Sequence, residues 1–386
     1  MAKRRLSKQQ SRRIASKALD LKALVDHRED MRKGLVVTQY GRRADVEDVA
    51  SGTVVRCKQR ANLPPVVAGD LVIWSGQLED TAPEFNELNK VPGRDQEESI
   101  TQLKVTRAVV ESLFERKSVI QRPDKFGKLR TLAANVDLMF VTVAAKPEPH
   151  FNFIDRYLVA AFHCGVAPHI VINKAELLGA ESDEHADSAI RERLDQVREF
   201  YPSVDIPVSV VSAKTGQGLD ELGALIQNQS AVFVGQSGVG KSSLIKSLLL
   251  EEQDLLGDLA DEAAGPEKQA TEDIDQIEIG DLSHARDKGR HTTTYSKVYK
   301  LINNGLCIDS PGIREFGLWH LSEEDIIRAF PDIAEISVHC RFRNCRHEKE
   351  PGCAIRDKVG NDPFFASRYQ SYRAILSSLD DYTVHD

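Results

Sequence analysis

Ala231-Val232-Phe233-Val234-Gly235-Gln236-Ser237-Gly238-Val239-Gly240-Lys241-Ser242-Ser243-Leu244-Ile245-Lys246 is the stretch that decides the fold of this 386-residue chain. A short apolar run leads into a glycine-rich turn and then into helix-forming residues, the strand, loop and helix order of a phosphate-binding loop. Glycines let backbone N–H groups converge on a diphosphate, Lys241 brings charge to the β and γ oxygens, and the Ser242 hydroxyl is placed to hold Mg²⁺. Gly235, Gln236, Ser237, Gly238, Val239, Gly240, Lys241, Ser242 and Ser243 are therefore candidate nucleotide-binding residues.

Working outward, residues 136–144, 151–164, 169–172, 187–200, 206–211, 219–227 and 231–234 alternate between β-branched apolar runs and helical patterns. That texture predicts a mostly parallel sheet with covering helices. At the ends of two of these strands stand Asn173-Lys174-Ala175-Glu176 and Ser212-Ala213-Lys214. The first resembles the guanine-recognition motif N-K-x-D of regulatory GTPases, with Glu176 in the place of Asp, and the second resembles their other base-contacting segment. A carboxylate at position 176 can accept from guanine N1–H and the 2-amino group, which adenine lacks, and an unpaired buried carboxylate rejects the wrong base. After the apolar run 306–308 comes Asp309-Ser310-Pro311-Gly312. It is similar to the D-x-P-G switch, in which Asp309 would hold Mg²⁺ through water and the Gly312 N–H would meet the γ-phosphate. The order Asn173, Ser212, Gly235, Asp309 places the base segments before the phosphate loop, so the domain is expected to be circularly permuted.

On the amino-terminal side, short β-branched runs at 35–38, 52–57, 71–74 and 105–110, separated by turns, suggest a small β-barrel over residues 34–111, with a sandwich as the alternative that this spacing alone does not separate from it. Before it, residues 1–33 hold eleven basic and four acidic side chains, a balance of +7 that leaves −15 for the remainder of a chain whose total is −8. This arm is expected to be flexible and to suit phosphate neutralisation, with a solvated tail or a transit peptide as alternatives. Residues 251–281 carry twelve acidic side chains and one basic, Lys268, and read as an acidic insertion in a loop. Past residue 331, Cys340-x₄-Cys345-x-His347-x₅-Cys353 offers three thiolates and an imidazole, the ligand set of a closed tetrahedral structural zinc site. A helix is expected after Asn361-Asp362-Pro363. No run of 18 apolar residues occurs, and Met1 leads into Lys3, Arg4 and Arg5, so neither a membrane span nor a secretory signal is expected and the cytoplasm is the expected compartment. Six cysteines, three of them between 340 and 353, exclude a disulfide scaffold.

The permuted motif order, the preceding barrel and the Cys/His spacing together resemble one family, the ribosome small-subunit-dependent GTPases called RsgA or YjeQ. Further segments carry the likeness: Arg116-Lys117-Ser118-Val119-Ile120-Gln121-Arg122-Pro123, Gly289-Arg290-His291-Thr292-Thr293, and Asp309-Ser310-Pro311-Gly312-Ile313-Arg314-Glu315-Phe316. The resemblance implies an OB-fold barrel (34–111), a permuted P-loop GTPase domain (112–330) and a small zinc domain with a carboxyl-terminal helix (331–386). It implies GTP hydrolysis to GDP and phosphate, stimulated by the small ribosomal subunit during its late maturation, with the subunit and its rRNA as partners. A nucleotide-gated RNA-binding scaffold with little hydrolysis is the alternative, and a monomer is expected. Ile313 stands where a water-positioning glutamine would follow the switch glycine, so unaided hydrolysis should be slow. His291 is the candidate catalytic residue that would order the attacking water, beside Thr292 and Thr293, which join Ser242 and Asp309 as candidate Mg²⁺ ligands.

Overall fold

The computed structural model describes residues 31–78, 105–123, 128–179, 187–257, 296–310, 313, 318 and 321–383. The chain divides into two compact units, Met1–Arg116 with Tyr295–Lys297, and Lys117–Thr294 with Val298–Asp386.

The first unit is built on β1 (Met31–Tyr40), β2 (Arg43–Asp48), β3 (Val54–Gln59), β4 (Leu71–Leu78) and β5 (Val105–Leu113). Along β2 and β3 every second side chain is buried, the period of a strand with one face on a core. Antiparallel pairing joins β1 to β2, β2 to β3, β4 to β5 and β1 to β4, while β3 and β5 run parallel. The pairings return to β1 and close a five-stranded OB-type barrel, filled by Val36, Val46, Val55, Val72, Trp74 and Val110. Asp70 is fully buried at its rim. Arg116 makes that tolerable, with Nε and Nη2 each 2.7 Å from one carboxylate oxygen, and Val67 N–H adds a third donor at 2.7 Å.

The second unit opens with a hairpin, β6 (Val119–Pro123) and β7 (Leu129–Ala134), which the sequence pattern did not resolve into strands. Its sheet uses β8 (Leu138–Ala144), β9 (Ala167–Asn173), β10 (Val208–Val210), β11 (Ser230–Gly235), β12 (Lys297–Leu301) and β13 (Gly305–Asp309). The order is β10-β9-β8-β11-β13-β12, with the first five parallel. β8, β9 and β11 are buried almost without interruption, as expected where helices cover both faces. The covering helices are α1 (Asn152–Cys164), α2 (Ser188–Ser203), α3 (Leu219–Ile226) and α4 (Lys241–Gly257). One core cluster joins α3 and α4 to the sheet through Phe140, Val171, Leu222, Phe233, Leu244 and Leu248.

The carboxyl-terminal part adds α5 (Glu323–Ile327), α6 (Pro331–Ser337), α7 (Ala354–Asn361) and α8 (Pro363–Thr383). Ser322 and Asp325 cap α5 reciprocally, and Pro331 opens α6 where no N–H is needed. The helix expected after Pro363 is α8, and the sequence pattern gave no sign of α7 before it. No described helix is long and apolar enough to cross a membrane.

Candidate functional site

β11 ends at Gly235 and α4 starts at Lys241, so the intervening turn lies where strand ends and a helix amino terminus meet. Two glycines are required there by space as much as by torsion. Gly235 has φ +140° and a Cβ on it would lie 2.1 Å from Thr142 O, while a Cβ on Gly240, at φ +92°, would lie 2.4 Å from Asn173 Nδ2. The loop is thus wedged between the carboxyl ends of β8 and β9. Lys241 folds over it, its Nζ donating to Gly235 O at 3.0 Å and Gln236 O at 2.8 Å.

Asn173, the last residue of β9, is 1% exposed. Its Nδ2 donates to Val239 O at 2.9 Å and its Oδ1 accepts from Ala213 N at 3.3 Å, so one side chain binds three predicted segments into a single site. Lys174, at φ +62°, turns the chain out of the strand. Its ammonium donates to Lys146 O at 2.9 Å and Gly238 O at 2.8 Å. Burial lowers its pKa, with Glu176 acting in the opposite sense. The Ser212 hydroxyl donates to Glu176 Oε2 at 2.5 Å and accepts from Thr215 N at 3.0 Å. The extra methylene of Glu176 lets its carboxylate reach Ser212, which orients it. Lys214 lies exposed just beyond. Ala175 opens the 3₁₀ turn that carries Glu176, and Ser243 O accepts from Ser247 Oγ at 3.0 Å within α4.

Asp309 ends β13, the parallel neighbour of β11, so the candidate Mg²⁺ residues Ser242 and Asp309 belong to the same end of the sheet. Ile313 is buried, at 3% exposure. Gly312, His291, Thr292 and Thr293 lie outside the described residues, as do residues 1–30 of the basic arm and residues 258–281 of the acidic insertion. Sequence reasoning missed the loop from Lys146 to His150, which meets the phosphate loop through His150 N–H, 3.3 Å from Gln236 Oε1. Its only signal is the Lys-Pro-Glu-Pro run at a strand end.

At the other candidate site, one ligand atom from each of Cys340, Cys345, His347 and Cys353 lies within 4.8 Å of every other, an arrangement that could hold a metal ion. Cys340 Sγ and Cys353 Sγ are 3.9 Å apart and each is 3.5 Å from His347 Nδ1. Four ligands around an ion at about 2.3 Å for sulfur and 2.0–2.1 Å for nitrogen would be spaced at roughly 3.8 and 3.5 Å, so the cluster is compatible with zinc. Glu350 closes the loop by accepting from the N–H groups of Arg346 and Glu348 at 2.9 Å and Lys349 at 3.0 Å. These donors, that of Arg346 first, hold its carboxyl down at about 2. Tyr369 Oη on α8 donates to His347 O at 2.8 Å.

A phosphate loop on a parallel sheet, with both base segments preceding it in the chain and meeting at Asn173, defines a circularly permuted P-loop GTPase. The model of the RsgA GTPase family matches residues 113–319. A small ribosomal subunit biogenesis GTPase RsgA of Hahella chejuensis is 36% identical, the match covering 100% of this chain and 99% of the relative. One of Saccharophagus degradans is 38% identical over 99% and 98%. The chain belongs to the RsgA GTPase family. Two solved structures share the fold. The crystal structure of YjeQ from Thermotoga maritima has a TM-score of 0.59 at 24% identity, covering 90% of this chain and 98% of that one. YloQ, described as a circularly permuted GTPase, has a TM-score of 0.58 at 21% identity, covering 92% and 97%.

Proposed function

We propose that the chain binds the small ribosomal subunit late in its maturation, hydrolyses GTP there, and leaves as the GDP form. The observation that carries this reading is the guanine-nucleotide site gathered by Asn173, set in a chain whose full-length relatives are named for small-subunit biogenesis. In this reading Asn173, Lys174, Ala175, Glu176 and Ser212-Ala213-Lys214 take the base, Gly235 to Ser243 take the phosphates, and Gly312 meets the γ-phosphate. Mg²⁺ bound by Ser242, Asp309, Thr292 and Thr293 would neutralise charge on the phosphates. Zinc at Cys340, Cys345, His347 and Cys353 would supply folding energy to its loop.

Three work-units follow the chain: an OB-fold barrel, a GTPase domain to residue 330, and a zinc domain, with the basic arm holding rRNA phosphates. The protein acts as a cytoplasmic monomer. His291 orders the attacking water once the subunit has fixed its loop, because Ile313 carries no group that can do so.

The test is GTP turnover measured alone, with small subunits and with large subunits. Turnover is expected to be slow alone and stimulated by small subunits only, and His291→Ala should lose most of that stimulation while keeping GTP affinity within about tenfold. Equal turnover in all three conditions would overturn the reading.

A further inference from the structure

Between β8 and α1 the chain touches the nucleotide site three times. Lys146 O accepts the Lys174 ammonium at 2.9 Å. His150 N–H donates to Gln236 Oε1 at 3.3 Å. Pro147 Cδ lies 3.4 Å from where a Gly238 Cβ would stand. The next residues, from Asn152, are the first turn of α1, so whatever fixes that turn also fixes the loop.

That turn is gripped from outside. Asp155, 3% exposed, accepts from Tyr201 Oη at 2.9 Å and from Arg368 Nη1 on α8. Arg368, 2% exposed, also donates through Nε and Nη2 to Asp332 on α6 at 3.0 and 2.8 Å. The rings of Phe200, Tyr201 and Phe330 cover its guanidinium at 5.0, 5.1 and 4.8 Å. On the same turn, Phe151 lies 5.2 Å from the Arg193 guanidinium. A buried arginine held by two carboxylates contributes little net stability compared with apolar residues of the same volume. What it does contribute is direction, since a planar fork with both edges bonded and its faces stacked admits one arrangement of its partners.

We infer that Arg368 is a positioning residue of the nucleotide site: through Asp155 it fixes the first turn of α1, and through that turn the 146–150 loop against Lys174, Gln236 and Gly238. The carboxyl-terminal helix and the nucleotide therefore share one two-ended element. Coupling of this kind is reciprocal, so nucleotide must also steady α8. The inference rests on the reading of residues 235–243 as the phosphate loop.

The test compares Asp155→Ala with Asp332→Ala in the full chain, with GDP as the probe. Each substitution leaves Arg368 one carboxylate, but only Asp155 lies on α1. Asp155→Ala should weaken GDP binding about tenfold below its melting temperature, and Asp332→Ala by less than about twofold. In the wild-type protein, GDP should slow amide exchange across residues 363–375 as well as at the phosphate loop, a readout that needs no variant to fold. Equal GDP affinity in wild type and both variants, or exchange in α8 indifferent to GDP, would overturn the role of Arg368. Wild-type protein that binds no GDP would instead overturn the reading of the site.

Discussion

The phosphate loop and the metal loop of the same compact unit are shaped by opposite means. Residues 235–240 are confined by their packed neighbours: the Thr142 carbonyl and the buried Asn173 side-chain amide stand where side chains on Gly235 and Gly240 would go, and the core of β11 and α4 lies directly beneath. Residues 340–353 bury little, Cys353 being the one ligand residue of the four that is buried, and four ligand atoms converge within the loop. One loop borrows its form from the fold and stands ready before any ligand arrives. The other would take its form from an ion held where its four side chains converge.

The largest effect that separates them is metal removal. Structural zinc contributes roughly 10 kcal/mol or more to small domains of this kind. Chelation, or Cys345→Ser, should therefore abolish amide protection and protease resistance across residues 338–353, while β11 keeps its protection. Loss of protection in both regions together would show that they do not derive their shape separately. Elemental analysis should find about one zinc per chain, absent from the variant.

A smaller effect probes the preformed loop. Gly235→Ala places a methyl against Thr142 O at φ +140°, and strained torsion plus overpacking should together cost about 4 kcal/mol. Calorimetry should show a lowered melting temperature and titration a loss of GDP binding, with metal content unchanged. An alanine variant that binds GDP normally would mean the loop can move away, contrary to the confinement described.

How much of this was legible beforehand follows the same division. The turn at 235–240, the strand ends at Asn173 and Ser212 and the Cys/His cluster stand out in the sequence because the chemistry proposed for them demands particular residue types at short fixed spacings. The barrel was readable as strands, but its closure through the parallel β3 and β5 pair and the β1 and β4 pair is a tertiary choice that alternating burial does not encode. Asp155, Tyr201, Asp332 and Arg368 meet across more than two hundred positions and form no local pattern. Glu350, which closes the metal loop, looks in the sequence like one more charged residue in the run Glu348-Lys349-Glu350.

The smallest effect concerns the sheet beneath both base segments. His169 on β9 is 5% exposed, lies 2.8 Å through Nε2 from Ser209 Oγ on β10, and is pushed down to about 4 by burial. The unfolded chain takes up this proton near pH 6.5 while the folded protein does so only near 4, so the contribution is whole above about 6.5 and is lost as pH falls towards 4. About 3 kcal/mol is at stake. His169→Gln should flatten that part of the stability profile between pH 6.5 and 4 in denaturant titrations. An unchanged slope would show that His169 stays accessible to protons in the fold.

The permuted strand order also bears on synthesis. As the chain emerges from its amino terminus, β9 can pair with β8, β10 with β9, β11 with the free edge of β8, and β13 with β11. Every parallel strand finds its neighbour already made, and the sheet grows outward from β8 in both directions. Asn173 is the exception, because its Val239 partner is translated sixty-six positions later. Until then the end of β9 carries an unmet polar group, so a nascent chain completes its base-recognising corner only after the phosphate loop has been translated, and a truncated product lacks the means to capture nucleotide.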